Sequence, residues 1–302
     1  MKLKNSKESL KLKSLFPVMY GGALILIVLR CVQLTRFIDS ETGFFTGGMF
    51  VNVLLYGLIA LFCLYFVVVS FLSSESVKIE TAALKDKTAA VASVIFGIGL
   101  IYDCLASFVD SIVALDKAGM GAFMTNTEAF KTLMSTGTLP YALQSLFALF
   151  SAIYVFVLAK SFSKGSLYAH NHKYLALFPV AWSAFKLITR FVKQISYIKV
   201  SDLFLELILI AFMILFFVTL AQVTSGVYCD ETRWRITALG LSAGLISVCI
   251  NVPRLVLTIF ANEFVNKEYP FNFADTAFAF FAVFVALAAV KALDAQASDK
   301  SE

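Results

Sequence analysis

The sequence predicts an all-α polytopic membrane protein with about eight transmembrane helices. Of its 302 residues, 60% are hydrophobic and 15% are charged, whereas a soluble domain has about half apolar and about a quarter charged residues. The apolar residues also form repeated runs of about 20, the length at which an α-helix crosses a hydrocarbon core of roughly 30 Å. These observations exclude an ordinary soluble domain.

Eight apolar runs are predicted to span the membrane, at 15–34, 47–73, 88–115, 139–161, 175–197, 201–226, 235–260 and 273–293. The first follows five lysines, as in a secretory signal peptide, but it is long and lacks a small-x-small cleavage site, so we expect a retained helix. The fifth is the least apolar because it contains Lys186, Arg190 and Lys193. We keep it because large apolar residues fill its other positions and because the internal repeat described below requires it.

The longest connection lies between the third and fourth spans. In it, Thr125 and Glu128 have the spacing of a capping box, and Phe130, Leu133 and Met134 follow at helical spacing. This pattern predicts a short amphipathic helix on the outer membrane surface. A lid over a cavity is the alternative interpretation.

The loop charges predict that both termini are cytoplasmic. Cytoplasmic loops carry an excess of Lys and Arg. With the N-terminus inside, the inner segments hold fifteen of the 25 basic residues, the outer segments five, and the helices five. The odd number of cysteines, mostly inside apolar runs, does not suggest a disulfide framework. A bacterial plasma membrane is the expected location.

Three short motifs recur in the same order in the two halves of the chain: FPV at 16 and 178, GLIxxC at 99 and 244, and FALF and FAFF at 147 and 278. They predict two four-helix repeats of the same orientation, related by an axis along the membrane normal, as in some transporters. The predicted divisions are a basic cytoplasmic tail at 1–14, the two halves at 15–162 and 163–293, and a C-terminal tail at 294–302.

Charged and amide side chains collect within the predicted spans, where they are costly and usually face a bundle interior or a water-filled cavity. Asp103, Ser107 and Asp110 share one face of the third span, and Lys186, Arg190 and Lys193 share one face of the fifth. At about 1.5 Å per residue, these side chains lie mainly in the outer half of the bundle, together with Arg30, Gln33, Glu206, Asn251, Arg254 and Asp275.

The outer position of this cluster supports two main functional hypotheses. In the first, the chain is a small secondary transporter or permease for an anionic or zwitterionic solute. Its predicted ligand-binding residues are Arg30, Gln33, Lys186, Arg190, Lys193, Asn251 and Arg254, and its predicted proton- or cation-coupling residues are Asp103, Asp110 and Glu206. In the second, the chain is a non-catalytic membrane subunit, sensor or assembly factor, and the charges form a packing network.

Enzymatic alternatives have less support. Asp103 and Asp110 as paired acids would lie about 10 Å apart along a helix, too far to share a proton. There is no Gly-rich phosphate loop, G-x-S-x-G or H-E-x-x-H, and His170 and His172 form a weak metal signal in a predicted cytoplasmic loop. We therefore predict no cofactor, no metal site and no nucleic-acid partner. The basic tail is expected to touch anionic lipid.

Overall fold

The computed structural model describes residues 12–39, 45–73, 85–118, 126–165, 173–192, 200–226, 232–261 and 271–299. Within these ranges the chain is helical. The α-helices are α1 (Leu15–Arg36), α2 (Met49–Leu72), α3 (Lys87–Ala118), α4 (Asn126–Ser135), α5 (Thr138–Lys164), α6 (Phe178–Val192), α7 (Val200–Ser225), α8 (Thr232–Phe260) and α9 (Phe273–Asp299).

Seven of these helices, α1, α2, α3, α5, α7, α8 and α9, are long and apolar enough to cross a membrane. They coincide with seven of the eight predicted spans. The predicted all-helical class is therefore confirmed, and the helices fit an integral membrane protein. The two-half organisation and the cytoplasmic position of both termini stay predictions, since helix positions alone do not fix the side of the membrane.

The fifth predicted span differs from the others. Its described part is α6, only 15 residues long, preceded by a 3-10 helix at Lys173–Leu177. Residues 193–199, which include the predicted site residue Lys193, lie outside the described residues. Eight membrane crossings therefore stay a prediction. The short helix predicted between the third and fourth spans is present as α4.

Helix α9 forms the core of the bundle. In its most apolar stretch, 72% of the residues are buried, compared with 22% in α2. Its small residues allow α3 and α8 to pack closely. Phe281 stacks on Phe96 of α3, and Phe278 makes an edge-to-face contact with the same ring. The charged side chains of the site lie at one end of this bundle, where α1 and α3 finish and α7 and α9 begin. We call this the predicted outer end.

Gly240 of α8 lies close against the backbone of α9. A Cβ atom at this position would lie 2.8 Å from the backbone oxygen of Ala282, a contact that only a shift of the helices can relieve. Close helix contacts in membranes commonly depend on small residues. We expect Gly240→Ala to lower the unfolding free energy by about 1–3 kcal/mol, the usual cost of overpacking, measured as a lower melting temperature in detergent.

Gly57 of α2 provides the matched control. A Cβ there meets nothing within 4 Å, so Gly57→Ala should leave stability unchanged or raise it by up to about 1 kcal/mol through helix propensity. Equal effects of the two substitutions would contradict a close α8–α9 contact.

Candidate functional site at the predicted outer end

Two carboxylates of α7, Asp202 and Glu206, lie one helical turn apart and bind three arginines from three other helices. Asp202 accepts hydrogen bonds from Arg30 of α1 at 2.5 Å and from Arg254 of α8 at 3.2 Å. Glu206 accepts one from Arg254 at 2.6 Å and pairs with Nε of Arg190 of α6 at 2.9 Å. We call these five residues the arginine network. It ties α1, α6, α7 and α8 together.

Most of the arginine network is sealed from solvent. The side chains of Arg30, Asp202, Glu206 and Arg254 are 1–6% exposed. Arg30 also donates to Gln33, whose amide donates to Asn52 of α2 at 2.7 Å, so the polar contacts continue to a fifth helix. Arg190 differs, because its side chain is 17% exposed.

A second group of polar contacts surrounds Asp103 of α3. Its Oδ2 accepts hydrogen bonds from Trp182 Nε1 at 2.8 Å and from Gln144 Nε2 at 3.1 Å. Thr189 orients Gln144 by donating to its Oε1 at 2.8 Å. Asp103 is buried, yet within the described part of the chain no cation lies in ion-pair contact with it.

Lys186 of α6 is buried beside this group. It forms an ion pair with Asp275 and lies 5.1 Å from the centre of the Trp182 ring. The start of α9 holds Asp275 in place, since its backbone N–H donates to Asn272 Oδ1 at 3.2 Å and its carbonyl accepts from Ser247 at 2.6 Å. Lys186 is therefore fixed between a carboxylate and an aromatic face.

A polar cavity of about 160 Å³ opens where the two groups meet. Its lining includes two acids, two bases and several neutral hydrogen-bonding side chains. The residues around it are Tyr102, Asp103, Ala106, Ser107, Asp110, Tyr141, Gln144, Lys186, Thr189, Arg190, Phe271 and Asn272. These come from α3, α5 and α6 and from the start of α9.

The structure divides the predicted site residues into two sets. Asp103, Asp110, Lys186 and Arg190 line the cavity, and Arg190 also belongs to the arginine network. The others do not line it. Arg30, Glu206 and Arg254 lie in the sealed part of the network, Gln33 extends it, and Asn251 is buried on α8, where it donates to the Ser247 carbonyl at 3.1 Å and accepts from the Asn272 N–H.

Several residues of the site were not predicted from the sequence. Asp202 had a detectable signal, because it precedes Glu206 by one helical turn at the start of an apolar run. Gln144, Trp182 and Tyr141 had none, since single amide and aromatic side chains are ordinary in membrane helices. His170 and His172 lie outside the described residues.

Comparison of the chain with known protein families, curated proteins and solved structures gives no significant match. The geometry of the site is therefore the basis for assigning a function.

Proposed function

We propose that this chain is a small secondary transporter or permease for an anionic or zwitterionic solute. The observation that carries this proposal is the polar cavity, in which Lys186 and Arg190 provide positive charge next to Asp103. Ionisable residues inside a membrane protein are costly and commonly mark a solute pathway. Lys186 and Arg190 would bind the anionic group, and Asp110 near the cavity opening would suit the ammonium group of a zwitterion.

The size of the cavity limits the solute. A volume of about 160 Å³ corresponds to about five water molecules at roughly 30 Å³ each. This space suits a small carboxylic acid or amino acid better than a drug-sized ligand, whose pockets are typically about 300 Å³ or more.

The charges around the cavity support coupling to a proton. Lys186 and Arg190 place positive charge at the cavity, and Asp103 is a buried carboxylate beside them. Ionised Asp103 would repel an incoming anion, and protonated Asp103 would not.

The other acidic groups described around the cavity suit this role less well. Asp110 also lines the cavity but is exposed, and Tyr141 faces the same space from α5 as a neutral phenol. Asp275 is already paired with Lys186. We therefore propose that an anion and a proton bind together, with Asp103 as the proton site.

The alternative function, a non-transporting membrane subunit, sensor or assembly factor, has its own supporting observation. The sealed part of the arginine network does not line the cavity, so its ion pairs would serve helix packing. Buried ion pairs of this kind can specify an arrangement without binding a ligand. A bacterial plasma membrane remains the proposed location under either function.

Labelling of single cysteines tests whether water reaches the cavity. In a background without the native cysteines, Ser107→Cys should react with a membrane-impermeant thiol reagent added outside, because Ser107 lines the cavity. Gln33→Cys is the matched control, since Gln33 is buried in the polar contacts away from the cavity. We expect Ser107→Cys to react at least tenfold faster, and a small carboxylic or amino acid from a screened panel to slow its labelling.

Two results would oppose the transporter proposal. If Ser107→Cys folds but reacts no faster than Gln33→Cys, the cavity is closed from outside and the packing function gains support. If Ser107→Cys reacts freely but no solute in the panel protects it, the proposed class of small acids is wrong.

A further inference from the structure

A second cavity lies at the opposite, predicted cytoplasmic end of the bundle, on the surface between α3 and α9. Its volume is about 320 Å³, and no polar surface contributes to its lining. Val91, Ala92 and Ile95 of α3 form one wall, and Phe280 and Phe284 of α9 form the other. Lys87 and Thr88 close the end nearest the membrane surface. We call this cavity the α3–α9 crevice.

The crevice is open towards the surface of the bundle. Val91, Ile95 and Phe280 are 40–59% exposed, and they lie on helices that are long and apolar enough to span a membrane. The part of α3 that lines the crevice runs from Lys87 to Ile95, which is about 12 Å at 1.5 Å per residue. An elongated, wholly apolar crevice of this length matches a hydrocarbon chain lying parallel to the helices.

Lys87 lies at the end of the crevice, and further lysines lie at the neighbouring helix junction. The Asp86 backbone N–H donates to the Phe162 carbonyl at 3.1 Å, which joins the start of α3 to the end of α5. Lys85 packs against Gly165 at the same junction. The junction holds three exposed lysines, Lys85, Lys87 and Lys291, the last through its contact with Asp86.

The acidic side chain described at this junction is that of Asp86, and both of its carboxylate oxygens already accept hydrogen bonds. Lys291 donates to its Oδ2 at 2.6 Å, and the Thr88 N–H donates to its Oδ1 at 2.8 Å. Burial alone would raise the pKa of Asp86, but the bonds from Lys291 and Thr88 lower it below its usual value, so the carboxylate is ionised at neutral pH. Among the described residues of this junction, Lys85 and Lys87 add positive charge beside the Lys291–Asp86 pair.

We propose that the α3–α9 crevice binds one anionic phospholipid, with an acyl chain between the two helices and the phosphate near Lys87. The apolar walls favour a hydrocarbon chain, which both kinds of lipid have, and the lysines at its end favour an anionic over a zwitterionic headgroup. Basic clusters beside the cytoplasmic ends of membrane helices commonly recognise anionic headgroups. This site is independent of the solute cavity at the other end of the bundle.

Native mass spectrometry of the purified full-length chain would test this site. The protein in detergent would receive either dioleoylphosphatidylglycerol or dioleoylphosphatidylcholine in equal amounts. We expect one retained phosphatidylglycerol per chain and much weaker retention of phosphatidylcholine. Lys87→Gln should weaken phosphatidylglycerol binding about five-fold, the effect of one basic residue near an anionic headgroup.

Substitution of the crevice wall separates the acyl-chain contribution from the charge contribution. Val91→Trp should fill the crevice and abolish retention of phosphatidylglycerol while all lysines remain. Ile95→Trp is a second variant at an exposed position, in case the first does not fold. The matched controls are Lys173→Gln, an exposed lysine on the 3-10 helix, and Leu64→Trp, which is 63% exposed on α2. Both should bind like the unmodified chain.

Three outcomes would overturn the proposal. Equal retention of the two lipids would remove the headgroup selectivity. Equal weakening by Lys87→Gln and Lys173→Gln would indicate a general surface-charge effect. A dimer that dissociates in Val91→Trp, without lipid retention in either form, would show that a second copy of the chain occupies the crevice.

Discussion

Asp202→Asn is expected to be the most destabilising charge substitution in this protein. It removes one of the two carboxylates of the arginine network and leaves Glu206 to balance Arg30, Arg190 and Arg254. Removing one partner from a buried ion pair costs about 3–5 kcal/mol, because the other charge stays buried without compensation. The measurement is thermal or denaturant unfolding in detergent, with folded yield as a second readout.

Arg254→Met should cost clearly less, although Arg254 makes two ion pairs. Once Arg254 is removed, Arg30 still pairs with Asp202 and Arg190 still pairs with Glu206. Each remaining charge keeps one opposite partner, and methionine fills part of the vacated space. The number of ion pairs lost is therefore a poor guide to the cost; the remaining charge balance decides it.

A double substitution tests this charge balance directly. Asp202→Asn combined with Arg30→Met removes one charge of each sign and leaves Arg254 and Arg190 with Glu206. This pair should recover most of the stability lost in Asp202→Asn alone. Recovery would appear as a large coupling energy in the double-mutant cycle. If the double variant is as unstable as the sum of the two single variants, the arginine network does not determine the packing of these helices.

The fold class could be predicted from the sequence because the membrane restricts the backbone to few structures. Every backbone group in the hydrocarbon region must be satisfied within the segment, so long apolar runs form helices. Seven predicted spans accordingly match α-helices to within a few residues. The fifth is the exception, since Lys186, Arg190 and Lys193 shorten its apolar run and its described helix ends at Val192.

Only part of the candidate site could be predicted from the sequence, for a physical reason. Helical spacing identifies which side chains share a face of one helix, and this was enough to select Asp103, Asp110, Lys186 and Arg190. Whether two faces meet depends on packing between helices that are distant in the sequence. Arg30 and Asp202 are 172 residues apart, and nothing in either segment indicates that they form a pair.

Some predicted site residues look alike in the sequence but have different surroundings in the structure. Arg190 and Arg254 are both membrane arginines that pair with Glu206. Arg190 also lines the cavity, whereas Arg254 is buried against the carboxylates of α7. The difference comes from tertiary packing alone. It divides one predicted cluster into a proposed solute site and a packing network.

Asp103→Asn provides the second large expected effect, on the pH dependence of solute binding. If one proton binds together with each anion, the dissociation constant of the unmodified protein should rise about tenfold for each unit by which the pH is raised in the alkaline range. An asparagine resembles a protonated aspartate, because each has one acceptor oxygen and at least one donor. The variant should therefore bind a solute found by the protection assay with little pH dependence, and more tightly than the unmodified protein at alkaline pH.

The control for this prediction is Asp110→Asn, which removes an exposed carboxylate of the same cavity and should keep the tenfold slope. Proton uptake, followed with an indicator dye in weakly buffered solution, should accompany solute binding in the unmodified protein and in Asp110→Asn, and disappear in Asp103→Asn. A slope that persists in Asp103→Asn would place the proton on another group. Loss of binding at every pH in a folded Asp103→Asn would instead mean that the carboxylate itself contacts the solute, as it would for the ammonium group of a zwitterion. The two variants together thus distinguish a proton site from a solute-binding carboxylate.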